Sequence, residues 1–284
     1  MSVLALKVDI DTYQGMREGL PRIVEVLERR GIRASFYISF GPDRSGLAAL
    51  QLLRPAFLLK MLKTRAVSTY GIKTALYGTL LKAPLIGCSF PEDLRRLDRL
   101  GHETACHAWD HRLWQDWLGF MGESSIRKWL DAMVQSFTSI LGEKPSAFGA
   151  PGWHVDERVL RMIREYDFSY VSCTRAQKPF IFSENGLLEI PSNLPCIEEV
   201  GTAGVINALV RNAGNPDPQI LPVHTEVEGG TFKLDFETIL DRAISLGYTI
   251  VRMCDISRDI DRTTQPVRAL KIGHIPGRAF TCAV

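Results

Sequence analysis

Leu4-Ala-Leu-Lys-Val-Asp-Ile-Asp11 alternates around a hydrophobic strand and ends in two carboxylates. Its continuation decides the fold. Residues 18–30 carry Pro21 in a first turn, Ile23, Val24 and Leu27 as an apolar stripe, and Gly31 as a stop, which is the pattern of a helix. Residues 33–40 then run Arg-Ala-Ser-Phe-Tyr-Ile-Ser-Phe, a second strand. A strand, a crossover helix and a strand make a parallel pair.

Beyond residue 90 the rhythm repeats. The spacing predicts helices over 91–100, 125–141, 156–166 and 236–246, and strands over 103–106, 146–149, 169–173, 187–190, 219–224 and 248–252. Seven or eight such units imply a β/α barrel or a doubly wound sheet. There is no internal repeat or interdomain linker, so 1–284 is expected to be one domain. Residues 201–218 read as a helix and loop within it, and the tail after Asp259 carries no pattern.

The chain has 284 residues, 45% hydrophobic and 23% charged, enough for a full core. Its six cysteines form no CxxC, which fits reduced thiols in a cytoplasmic protein. No secretory leader and no apolar run of spanning length is evident. The net charge of +2, with no basic helix interleaved with reading residues, argues against nucleic acid as a partner. The charge is uneven, however. Residues 44–90 hold seven basic residues and no acidic one, against 27 basic and 32 acidic elsewhere. With prolines at 55 and 84 as breaks, this segment is expected to be a basic helical insertion. Phe57, Leu58, Met61 and Leu62 share one face of it, Lys60 and Lys63 another.

Polar groups cluster where strands are predicted to end. Asp9 and Asp11 project to one side of a strand; His107 and His111 leave a third; His224 ends a later one. In parallel β/α folds ligands gather at the carboxyl ends of strands. Histidines four apart lie on one side of a helical turn, and with one carboxylate they make an open metal site of three protein ligands. Such donors suit zinc, and cobalt, manganese or nickel less exclusively. An ion there brings the pKa of water to roughly 7. One aspartate is then the base and the other a ligand, with His224 as the acid.

Asp9-Ile-Asp11, Gly101-His-Glu103 with His107-Ala-Trp-Asp-His111, Ala150-Pro-Gly-Trp153 and Val223-His224 resemble, in order, the motifs of the polysaccharide deacetylase (NodB-homology) family. The resemblance implies a distorted (β/α)7 barrel and a metal-dependent amide hydrolase. It implies Asp9 as base, Asp11, His107 and His111 as ligands of one divalent ion, zinc foremost, and His224 as acid. Phe40-Gly-Pro-Asp43, Pro55 with Phe57-Leu58 and Lys60-Met-Leu62, Ser68 with Tyr70-Gly71, and His224 with Glu226-Val-Glu-Gly229 look like a subgroup that deformylates 4-deoxy-4-formamido-L-arabinose on undecaprenyl phosphate. The alternative is N-deacetylation of another N-acyl sugar. A lipid-linked substrate would make residues 44–90 the contact with an anionic inner-membrane surface, each cation contributing up to ~1 kcal/mol.

One departure from the family stands out. Most members carry an arginine two residues before the motif proline, directed at the base; here the position is Gly149. Arg175 is the expected replacement. Pro151 and Trp153 are expected to meet the substrate, Trp153 by stacking on the sugar. Glu226 and Glu228, in phase with His224, are expected to orient it. His102 is expected to be structural, and His154 and His274 to lie at the surface.

Overall fold

The computed structural model describes residues 2–48, 76–276, 278 and 280–284. The expected helix around residues 56–66, and the Pro55, Ser68 and Tyr70 motifs, lie outside them.

β1 (Ser2–Ile10) organises the sheet. Its outward residues Leu4, Leu6, Val8 and Ile10 enter the main core, against helices such as α1 (Leu20–Glu28), which comes after a π-helical turn over Gly15–Gly19. Its inward face reads Val3, Ala5, Lys7, Asp9, so polarity rises toward the strand's end. β2 (Ser35–Ser39), β3 (Glu103–Ala108), β4 (Ala147–Gly149), β5 (Tyr170–Ser172), β7 (Leu188–Glu189) and β8 (Gln219–His224) join β1 in one parallel set. Each of these strands gives a side chain to a second, interior cluster: Ala5, Tyr37, Ala105, Ala147, Tyr170, Leu188 and Ile220. That is the seven-stranded barrel expected. It is incomplete, because among the described residues the strand path runs from β10 (Val267–Arg268) to β8 without closing.

Around it lie α2 (Pro91–Arg99), α3 (His111–Trp117), α4 (Glu123–Leu141), α5 (Glu157–Ile163), α6 (Ile197–Asn212) and α7 (Lys233–Ser245). Gly142 ends α4 in a left-handed conformation (φ 80°), which a residue with Cβ adopts at a cost. β9 (Tyr248–Val251) pairs with the first half of β1. α8 (Met253–Asp259) then plugs the barrel where the strands begin. Met253 N–H donates to Ser35 Oγ (2.8 Å) and Cys254 N–H to the buried Glu103 (2.9 Å). Glu103 also accepts from Tyr170 (2.8 Å), whose hydroxyl accepts from Tyr37 (2.9 Å). Ser35, Tyr37, Tyr170 and Glu103 thereby form one hydrogen-bonded set in the lumen below the site.

The sequence pattern missed β6 (Phe180–Phe182), antiparallel to β7, and the pairing of β10 (Val267–Arg268) with β6. β10 is the edge strand and β6 lies between it and β7; at two and three residues both are too short to show a period. The tail is not featureless: β11 (Ile272–Gly273) pairs with β12 (Cys282–Ala283), and Ala283 C=O accepts the Arg175 N–H (2.9 Å). α6 begins at Ile197, four residues before the expected start, with Gly201 (φ 70°) kinking it. All six cysteines are free thiols. No helix among the described residues is long and apolar enough to cross a membrane.

Candidate active site

Strand register brings the polar groups together. Asp9 lies beside Tyr37 on β2 and His224 on β8. On β3 the pairing with β2 jumps from Cys106 to Ala108, leaving His107 as the extra residue of a bulge that re-aims its ring. His107 and His111 therefore do not share a helical turn as expected: one belongs to a strand bulge, the other is the first residue of α3. Asp110 sets that start. Its carboxylate accepts Leu113 N–H (3.0 Å) as the cap of α3 and meets Arg44 Nε at 3.0 Å.

Asp11 sits between the two imidazoles, with Oδ1 3.2 Å from His107 Nε2 and Oδ2 3.2 Å from His111 Nε2. His107 Nδ1 lies 2.7 Å from the Gly149 carbonyl, so that nitrogen carries the proton and Nε2 presents a lone pair. His107 Nε2 and Asp11 Oδ1 are buried and have no hydrogen-bond partner. Two orphaned acceptors facing each other at that distance call for a cation between them. The residues fit a divalent ion, and this triad is one of two groups among the described residues whose donor atoms all lie within 4.8 Å of one another. Burial works against the Asp11 carboxylate, but the neighbouring His111 outweighs it and holds its pKa well below the usual range.

The other group is Glu198, His224 and Glu228. His224 Nδ1 is 2.9 Å from Glu198 Oε1, in the first turn of α6. Burial disfavours charge on His224; Glu198 overcomes it and raises the pKa well above that of free histidine. Glu228 instead accepts the backbone N–H of His224 (2.8 Å), and Glu226 accepts the Thr225 hydroxyl (3.0 Å). Burial, then the neighbouring Glu198, pushes Glu228 up to about 8. The expectation that Glu226 and Glu228 orient the imidazole is thus corrected: Glu198, 26 positions away, meets the ring.

Arg175 is not beside the base either. Its guanidinium donates to the carbonyls of Ser192 (2.7 Å) and Leu194 (3.0 Å) and to Glu199 (2.7 and 3.1 Å). Lys7 occupies that place, with Nζ 2.5 and 2.6 Å from the two Asp9 oxygens. Trp153 is only 2% exposed and is covered by Arg175 (4.6 Å to the ring centre) and by Arg278 from the tail (4.5 Å). Its ring is walled in rather than open to a sugar. It comes after buried Pro151 in a turn where Gly152 and Trp153 both have φ 58°, a strained value for tryptophan. His102 is structural as expected, its Nδ1 accepting Ala34 N–H (3.1 Å), and His274 is exposed; His154 is half-buried.

Sequence reasoning missed Lys7 and Glu198. Lys7 had a signal, being in phase with Asp9 on an inward strand face. Glu198 had none, since nothing local ties α6 to the end of β8.

Residues 2–171 match the sequence profile of the family described as Polysaccharide deacetylase. A protein named "Probable 4-deoxy-4-formamido-L-arabinose-phosphoundecaprenol deformylase" from Shewanella sediminis is 33% identical over 266 residues, 91% of this chain and 87% of that one. One of the same name from Wigglesworthia glossinidia brevipalpis is 30% identical over 279 residues, 93% and 96% of the two chains. The fold is similar to a crystal structure ascribed to a polysaccharide deacetylase of Mycobacterium smegmatis (TM-score 0.69, 15% identity, 96% and 95% covered). It is also similar to the Puue allantoinase (TM-score 0.62, 16% identity, 90% and 89% covered). The chain belongs to the polysaccharide deacetylase family and is a hydrolase of amide C–N bonds.

Proposed function

We propose that this protein removes the N-formyl group from 4-deoxy-4-formamido-L-arabinose carried on undecaprenyl phosphate, using one divalent metal ion, zinc foremost. The observation that carries the chemistry is the Asp11–His107–His111 triad, with Asp9 and His224 paired across adjacent strands beside it. The names of the two relatives support the substrate.

When bound, the ion supplies Lewis acidity, acidifying water and polarising the acyl carbonyl. Asp9 takes the proton of the attacking water, whose oxygen bonds to the acyl carbon. His224, held protonated by Glu198, gives its proton to the departing nitrogen as the C–N bond breaks. Formate and a free amine result. The test is product analysis with the formylated aminoarabinosyl phospholipid. Formate release that stops with chelator and returns with added divalent metal supports the reading; acetate release from N-acetyl glycans alone overturns it.

Glu198 is the lever on His224. Replacing it with Gln removes the charge that favours imidazolium and leaves burial, which disfavours it. The acid form is then lost at lower pH. The basic limb of the kcat profile is expected to move acidward by about one unit or more in Glu198→Gln, with metal content unchanged.

The membrane contact is supported by residues 44–90 and by apolar side chains outside the core. Leu80 is 82% exposed and Phe120 83%. Phe120 packs edge-on to exposed Trp117 (5.8 Å between centres), just beyond the helix that His111 begins. Arg158 holds that turn by donating to the carbonyls of Leu118 (2.8 Å) and Met121. Aromatic rings and cations together suit an anionic interface. The protein is expected to co-sediment with phosphatidylglycerol vesicles and to be released by salt. Neutralising the seven cations of residues 44–90 is expected to abolish the co-sedimentation; unchanged binding refutes the contact.

A further inference from the structure

Lys7 is an unusual residue to find inside a barrel: it is 0% exposed, and its ammonium meets both oxygens of Asp9. A buried lysine of this kind persists only where a fixed partner compensates its desolvation. Lys7 is two positions before Asp9 on the same strand face, so it approaches the carboxylate from inside the barrel. A carboxylate has about four lone-pair sites. Two bonds from beneath leave the others directed out of the barrel mouth.

Two aromatic rings bound the space around Lys7. Its Nζ lies 4.6 Å from the centre of Tyr37 and 5.8 Å from that of Trp153. Tyr37 is immobilised by the hydroxyl chain through Tyr170 to Glu103. Gly149 closes the remaining side. A Cβ at that position would stand 2.7 Å from Tyr37 Cδ1 and 3.1 Å from Lys7 Cε. The first is closer than real Cβ atoms approach, and Tyr37 has nowhere to go. Position 149 therefore has no room for a side chain while Tyr37 and Lys7 lie where they do. Its backbone still acts, because the Gly149 carbonyl receives His107 Nδ1–H.

We propose that Lys7 is the positioning residue for the base Asp9, and that Lys7 and Gly149 form one unit in which a cation rising from the strand replaces a side chain at position 149. Lys7 fixes the carboxylate plane and keeps its free lone pairs toward the water; Gly149 leaves the lysine its channel and sets the His107 tautomer. Arg175, committed to Glu199 and two carbonyls, takes no part. This rests on the amide-hydrolase reading of the site.

The experiment measures steady-state kinetics, metal content and thermal unfolding of Lys7→Met, Lys7→Ala, Lys7→Arg and Gly149→Ala. It uses whichever amide, N-formyl or N-acetyl, the wild-type protein cleaves, so a wrong substrate assignment leaves the Lys7 test intact. Lys7→Met is expected to lose about 100-fold in kcat, the lower end of what a general base contributes, with KM within about threefold and metal stoichiometry unchanged. Lys7→Arg is expected to recover at least tenfold over Lys7→Met, and ethylammonium to raise the kcat of Lys7→Ala. Gly149→Ala is expected to lose kcat as Lys7→Met does, through displacement of Lys7. The proposal is overturned if Lys7→Met turns over within threefold of wild type. It is equally overturned if neither arginine nor the added amine restores turnover in variants that remain folded and metal-loaded.

Discussion

Asp9→Asn is expected to retain the metal and lose turnover by about 10³-fold or more, since a positioned general base contributes 10²–10⁴ and an amide has no proton affinity to replace it. Its second effect separates this site from a simple carboxylate pair. Asp9 is the partner of a lysine that is 0% exposed, so the substitution strands a buried ammonium. Removing one member of such a pair costs about 3–5 kcal/mol. At roughly 2–4 °C per kcal/mol in a chain of this size, the unfolding midpoint should fall by about 10 °C. Adding Lys7→Met removes the stranded charge, so the double variant should regain most of the midpoint and none of the turnover. Calorimetry and kinetics on the four proteins of that cycle check both halves. Additive losses of stability would mean that Lys7 and Asp9 are not coupled, and the description of the base would be wrong.

Asp11→Asn, two residues along the same strand, is expected to do the opposite: it loses the metal, and turnover with it. Among the described residues Asp11 is the one carboxylate that meets both imidazoles, at 3.2 Å from each, and the substitution keeps its shape while removing its charge. Loss of a supporting partner behind a ligand already weakens metal binding 10–100-fold, so loss of the charged ligand itself should cost at least ~100-fold. Metal content after dialysis reads this directly, and activity should return as free metal is raised. The ligands must be deprotonated to bind, so the metal should also leave progressively as pH falls. A variant that keeps full metal occupancy would move the ion away from the triad. The pair of substitutions also tests the division of labour between the two aspartates, since an exchange of the two phenotypes would reverse the roles.

Most of the barrel was legible because its signals are local. β8 spans Gln219–His224, the predicted strand, and α4 ends at Gly142 as the pattern required. The elements missed were very short strands such as Phe180–Phe182, held by backbone pairing that no side-chain period records. The site divided in the same way. Asp9, Asp11, His107, His111 and His224 announced themselves as polar residues at the ends of apolar strands, where burial without purpose is costly. Their supporting partners did not. Arg175 and Glu228 have the right chemistry and reasonable spacing, yet the fold sends the first to Glu199 and the second to a backbone amide.

The chain by itself determined the parallel alternation of strand and helix and the set of groups able to do chemistry, because period and residue type act over a few neighbouring positions. Only the tertiary structure decided which cation meets the base, which carboxylate meets the acid, and that Trp153 is covered rather than open. Those choices depend on register between strands distant in sequence, on a single-residue bulge at His107, and on the missing side chain of Gly149. Each shifts an atom by a few ångströms, more than the reach of a hydrogen bond and less than any sequence pattern resolves.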